Sequence, residues 1–373
     1  MPHLIDCLAA TAALSEIFSD RSVLQAMLDF EAALARAEAR NGVIPADAAR
    51  AITQAAVASN FDLEKLVKAS LRAGTAAIPM VQMLREAVAP DFVHWGATSQ
   101  DVVDTALVLL LRKCRGILEC DHRRVSSALQ RLSEEHANTV MLGRTLLQPA
   151  PPVTFGLKAA GWLAAIRRGW SRVASRFDEA LYLQFGGASG TLAAFGNRGI
   201  AVSEALAAEL KLACPDAPWH AHRDRLGALM AALSIYTASL GKMALDIALL
   251  MQHEVSEAAE PGGDGRGGSS SMPNKHNPTA CMLTIAAAKR TPGLMSNFLT
   301  GMLQEHERAV GGWQSEWTTV QGIVQAAGVA LESMTEVAEG LKVDAARMRS
   351  NIDGSLDVGS AGIFRERLLE GKE

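Results

Sequence analysis

The strongest constraint on this chain is a stripe of apolar residues that holds one period over four heptads. Leu226, Leu229, Leu233, Tyr236, Leu240, Met243, Ile247 and Leu250 alternate steps of three and four. That is the a/d pattern of a helix packed along its length against other helices. Met230, Ile235, Leu249 and Met251 lie off the stripe, so several faces are apolar and the helix must be surrounded. The expectation is a long bundle helix that also packs against other subunits.

The rest of the sequence agrees with an all-α fold. Aromatic residues make up 5% of the chain, and Ala and Leu dominate, which favours helix over strand. Proline is absent from Asp101 to Gln148, from Val153 to Cys214 and from Trp219 to Glu260. Pro149, Pro151 and Pro152 interrupt the chain before a helix expected over about Thr154 to Gln184. Two glycine-rich stretches punctuate the helical spans, QFGGASGTLAAFG from Gln184 and PGGDGRGGSSSMPNKHNP from Pro261.

Several function classes are disfavoured. A net charge of −4 with no dense Lys/Arg run argues against a nucleic-acid partner. The cysteines at 7, 114, 120, 214 and 281 have no metal-ligand spacing and read as isolated thiols in a reducing compartment. The N-terminus lacks the layout of a signal peptide, and no uninterrupted apolar segment has the length of a membrane span. The chain is expected to be soluble and cytoplasmic, with neither a membrane nor a nucleic-acid partner. No metal or redox cofactor is signalled.

The segment from Gly262 to Pro278 carries the chemistry. Five glycines surround Asp264 and Arg266; three serines, a Met-Pro and Lys-x-Asn-Pro follow. Asn277-Pro278 reads as a helix start, with Asn at the N-cap and Pro at the first helical position. Amides there can bind an anion, and Lys275 adds a positive charge nearby. A serine in that field could exchange a proton with carbon. A Gly/Ser linker would explain the glycines but not the ordered pattern after them. Thr98 and Ser99 precede another helical run with Asp101 in its first turn. Their hydroxyls serve either as caps or as ligands for a substrate carboxylate.

GSSSMPNKHNP, from Gly268 to Pro278, resembles the G-S-x-x-M-x-x-K-x-N signature of the fumarase/aspartase superfamily. HWGATSQDVVDTA from His94 and GRTLLQPAPPVTFG from Gly143 resemble the family's other two substrate-binding segments, in the expected order. The resemblance implies three helical domains: an N-terminal one to about residue 100, a central long-helix bundle over 101–345 carrying the signature loop 261–278, and a third. Only residues 346–373 remain for the third, which is therefore expected to be short or missing. The resemblance also implies a homotetramer with active sites shared between subunits. It places catalysis on Ser269, with Ser270 second, and on Lys275 and His94. Thr98, Ser99, Arg144, Thr145, Gln148, Met272, Asn277 and Arg308 are the implied substrate-binding residues.

One departure selects a branch. Fumarases, adenylosuccinate lyases and argininosuccinate lyases carry an acid–base histidine where this chain has Leu146, in GRTLLQ. Leucine cannot transfer a proton. The lactonising branch, the 3-carboxy-cis,cis-muconate cycloisomerases of protocatechuate degradation in the β-ketoadipate pathway, also lacks that histidine. AGTAAIPMV near Gly74, PVTFGLKAAGW, QFGGASGTLA and HERAVGGWQSEW resemble that branch too. It implies a small tricarboxylate substrate and no cofactor. An adenylosuccinate lyase-type eliminase and a non-catalytic structural homologue are the alternatives.

Overall fold

The computed structural model describes residues 4, 6–88, 90–263, 267–268, 272, 275–352 and 361–370. The helices run α1 (Ala12–Ile17), α2 (Asp20–Arg40), α3 (Ala46–Ala55), α4 (Leu63–Ala73), α5 (Ala77–Ala87) and α6 (Ser99–Glu135). A hairpin of β1 (Val140–Thr145) and β2 (Gln148–Thr154) follows, then α7 (Phe155–Ala180), α8 (Gly199–Leu210) and α9 (Asp224–Leu250). The chain continues through β3 (Ala258–Ala259), α10 (Thr279–Gly301), α11 (Gly312–Gly340), β4 (Lys342–Val343), α12 (Ala345–Ser350) and α13 (Ala361–Glu370). Among the described residues the fold is all-α apart from two small antiparallel ribbons, β1–β2 and β3–β4.

The long helices α6, α7, α9, α10 and α11 form the central bundle, and α2 packs on α6 and α8. The heptad stripe of α9 is buried: Leu226, Leu229, Leu233, Leu240, Met243 and Ile247 are fully enclosed, Tyr236 and Leu250 nearly so. Within the chain its neighbours are α7, α10 and α11. The off-stripe Ile235 stays exposed, as does Leu245. By length and composition α9 could cross a membrane, contrary to the reading of the bare sequence, but its stripe is committed to the bundle.

Local sequence explains the breaks. Thr154 caps α7 by accepting from the Leu157 amide at 3.1 Å. Pro292 sits inside α10 and cannot donate to the Ala288 carbonyl. The Thr291 hydroxyl donates to that carbonyl instead, at 3.1 Å. The prolines at 149, 151 and 152 end up in β2, which is tolerable because a two-stranded ribbon leaves one edge of each strand unpaired. Gly143 is required in β1: a Cβ there would stand 2.3 Å from the Pro151 carbonyl oxygen.

Candidate active site

Thr98 is the N-cap of α6, and its amide donates to Asp101 Oδ2 at 3.0 Å, the return half of a capping box. Asp101 is fully buried and does more than cap. Its carboxylate accepts from the amides of Gly186 and Gly187 at 3.0 and 2.9 Å and pairs with His220 Nε2 at 2.7 Å. The glycine-rich connection after α7 is thereby laid against the start of α6. Gly187 has φ of 71°, and a Cβ on it would meet the Gly96 carbonyl oxygen at 2.7 Å.

One turn further along α6, Asp104 holds Arg223 through both oxygens, at 2.7 and 3.0 Å. Arg223 is fully buried and also grips Glu316 of α11, its Nη2 donating at 2.8 Å. The Trp313 indole donates to Asp104 at 2.9 Å, and Gln304 donates to Glu316 at 3.0 Å. The segment HERAVGGWQSEW is thus anchored by its Trp313 and Glu316 to a buried charge cluster. Its Arg308 reaches back and donates to the Thr98 hydroxyl. Two implied substrate-binding residues, 210 positions apart, are brought together in one chain. Ser99, next to Thr98, is partly exposed in the first turn of α6.

His94 lies in the turn before α6 with φ of 61°. Its Nδ1 is 2.6 Å from Glu31 of α2, a residue 1% exposed. Burial works against protonation of the ring, but the Glu31 charge and hydrogen bond outweigh it and raise the pKa above the ordinary histidine value.

The second segment forms the β1–β2 hairpin. Thr145 faces Gln148 across a two-residue turn made by Leu146 and Leu147, both with positive φ, at 50° and 63°. Leu146 is 97% exposed and Leu147 79%. Thr145 and Gln148 are exposed beside them. Arg144 is committed elsewhere: both its terminal nitrogens bond the buried carboxylate of Glu257, at 2.9 and 2.7 Å. Glu257 also accepts from Asn351 at 2.8 Å.

In the third segment, Ser269 and Ser270 lie outside the described residues. Lys275 and Met272 are exposed. α10 begins at Thr279, with Pro278 at the N-cap, one residue later than the sequence pattern implied. Asn277 does not cap. Its amide donates to the Gly267 carbonyl at 2.8 Å and its side chain to the Gly268 carbonyl at 3.3 Å, which closes the base of the loop. The helix amides expected to receive an anion are filled by the chain itself: Glu260, 1% exposed, accepts from Ala280 and Cys281 at 3.0 and 2.7 Å.

Glu31, Asp104, Arg223, Glu257, Glu260 and Glu316 were not singled out from sequence. Glu31 and Glu38 did leave a signal, since both occupy core positions of α2, seven residues apart among Leu24, Met27, Leu28 and Leu34.

The long-helix bundle, with Thr98 and Arg308 brought into contact at the start of α6, has the frame of a lyase-class protein. Residues 8–293 match the family model described as lyase. The 3-carboxy-cis,cis-muconate cycloisomerase of Bradyrhizobium diazoefficiens is 47% identical over 358 residues, covering 94% of this chain and 79% of that protein. The enzyme of the same name from Pseudomonas aeruginosa is 48% identical, covering 94% and 78%. The crystal structure of 3-carboxy-cis,cis-muconate lactonizing enzyme from Pseudomonas putida superposes with a TM-score of 0.90 at 43% identity, covering 99% of this chain and 88% of that one. The chain belongs to the fumarase/aspartase superfamily, on its 3-carboxy-cis,cis-muconate cycloisomerase branch.

Proposed function

We propose that the chain lactonises 3-carboxy-cis,cis-muconate to 4-carboxymuconolactone, as an intramolecular lyase without a cofactor. The observation that carries this reading is Leu146. At the hairpin tip, where the eliminating branches carry a histidine, this chain presents a side chain with no titratable group. The reaction tolerates that loss because the nucleophile is part of the substrate. One carboxylate oxygen adds to the activated double bond, and the electron pair moves onto the adjacent carboxyl-bearing carbon as an enolate. That carbon then takes one proton, so the product carries one negative charge fewer than the substrate. The protein has to fold the substrate for attack, stabilise the enolate and deliver the proton.

The roles follow the three segments. Arg308 and Thr98, already in contact, form a carboxylate-binding corner with Ser99. Lys275 supplies charge beside the enolate, and Ser269, or Ser270 next to it, gives the proton. His94 donates from Nε2. Thr145, Gln148 and Met272 shape the cavity. Asn277 holds the loop base, and Arg144 acts through Glu257 on the hairpin.

The assembly is a homotetramer in which three subunits contribute one segment each to a site. Two features support this. Exposed leucines at a turn with positive φ are costly alone and gain by docking. A groove of about 670 Å³ between α9 and α10, lined by Ile235, Pro292, Met295 and Leu299, leaves an apolar bundle face open. The division at about residues 100 and 345 belongs to the same proposal.

The test is ultraviolet absorbance. The conjugated diene band of 3-carboxy-cis,cis-muconate should decay on adding the protein, with the lactone recovered, while adenylosuccinate is left intact. Cleavage of adenylosuccinate with an unchanged diene band would overturn the reading.

A further inference from the structure

The pairing of His94 with Glu31 goes beyond what the signature segments specify. Glu31 is on α2, outside all three. It stands on the buried stripe of that helix, where a carboxylate is costly unless it is used. One oxygen accepts from His94 Nδ1 at 2.6 Å, and the other has no partner among the described residues. A carboxylate only accepts, so the shared proton is on Nδ1. That leaves Nε2 as the ring nitrogen able to reach substrate, and the side chain keeps 14% of its surface open.

The backbone needs this anchor. A non-glycine residue with φ near +60° costs about 1–2 kcal/mol, so the His94 turn must be held from outside. Gly96, with φ of 65°, packs against Phe195 so closely that a Cβ would stand 2.4 Å from its ring. Arg85 of α5 donates to the Val93 carbonyl at 3.1 Å. Three charged groups on neighbouring helices act on the ring: Glu31 on α2 and Asp101 on α6 favour the imidazolium, and Arg85 on α5 opposes it. Glu38, two turns along α2, is kept neutral by burial and by the Glu31 charge, its carboxyl pushed up to about 9.

We infer that Glu31 is a positioning residue for the lactonisation: its buried carboxylate fixes the His94 ring so that Nε2–H donates a hydrogen bond to the enolate oxygen. The inference rests on the cycloisomerase reading. Glu31 itself touches no substrate. Its effect belongs to the transition state, because the enolate oxygen gains charge only after the carboxylate has added.

The experiment pairs an NMR titration of the imidazoles with the pH dependence of turnover, in the parent and in Glu31→Gln. His94→Gln assigns the resonance among the nine histidines. In the parent, His94 should titrate above the ordinary histidine range, and kcat should fall on the alkaline side as that proton is lost. Glu31→Gln should lower the titration, move the alkaline limb to lower pH and cut kcat and kcat/KM together by about tenfold or more, with KM little changed. Glu31→Asp should recover part of kcat. A Glu31→Gln variant with parental kcat, or one with reduced kcat but an unmoved limb and titration, would overturn the inference. Failure of the parent to turn over 3-carboxy-cis,cis-muconate would sink the cycloisomerase reading and this role with it. A lowered His94 titration in Glu31→Gln would even then show that Glu31 controls the ring.

Discussion

Arg144 holds Glu257 through both terminal guanidinium nitrogens, at 2.9 and 2.7 Å, and the carboxylate it grips is wholly buried. The pair ties the hairpin to the connection after α9, and Asn351 adds a third bond to the same carboxylate. Removing one partner of such a pair leaves a buried charge unsatisfied. Arg144→Ala should therefore lower unfolding stability by about 1–3 kcal/mol in urea, discounted from a fully buried pair because the arginine is partly open. Arg308 differs: its described partner is a neutral hydroxyl, so its charge is available to a ligand. Arg308→Ala should raise KM by about tenfold or more with little loss of stability. Urea melts and steady-state kinetics on both variants check the contrast; equal KM effects would return Arg144 to the substrate.

The signature loop yields a second expectation. The family's catalytic serine stands six positions before the signature lysine, which here points to Ser269. Ser269→Ala should keep the helical circular dichroism and lose about two to four orders of magnitude in kcat. Lys275→Ala should weaken both binding and turnover, since its charge acts on bound carboxylates and on the enolate. If Ser270→Ala were dead and Ser269→Ala active, the role would move by one residue. If both stayed active, the proton would have to come from His94 or Lys275.

Much of this was legible from sequence because helices report themselves through period and proline placement. The stripe of α9, the cap at Thr98 and the start of α7 near Thr154 were readable for that reason. What each surface meets was not. The stripe turned out to be buried within the chain, because period says that a face is covered but not by whom. The β1–β2 hairpin was hidden by its prolines, which argue against strand unless an edge is free. Arg144 and the α10 amides looked available to an anion until Glu257 and Glu260 were found on them. Those carboxylates are distant in sequence and follow no local pattern, and the same holds for Asp104 and Glu316 around Arg223.

The hairpin tip gives a prediction about assembly. Leu146 and Leu147 both adopt positive φ, which costs roughly 1–2 kcal/mol per residue for a side chain other than glycine. Replacing both by glycine relieves that strain and removes the apolar tip. The double variant should keep its helical signal and its hairpin yet show a weaker tetramer by sedimentation velocity at micromolar concentration. Leu146→Trp should retain some activity, and Leu146→His should not create an efficient fumarase or adenylosuccinate lyase. A stable monomer for the parent would refute the shared-site arrangement.

Glu38 makes stability depend on pH. Its side-chain oxygens are buried and without partners among the described residues, and burial with the nearby Glu31 charge pushes its carboxyl from 4.5 to about 9. Between those values the folded chain holds a proton that the unfolded chain has released. Stability must then fall as pH rises through that window, by up to about 1.4 kcal/mol per unit from this group alone. The contribution is fully present below the unfolded value and gone once the folded value is passed. Glu38→Gln keeps the shape of the neutral acid and cannot ionise. Its unfolding free energy should match the parent near pH 5 and exceed it by an increasing margin from pH 6 to 9, measured by urea denaturation at each pH. Parallel pH curves for the two proteins would show that Glu38 is already ionised in the fold.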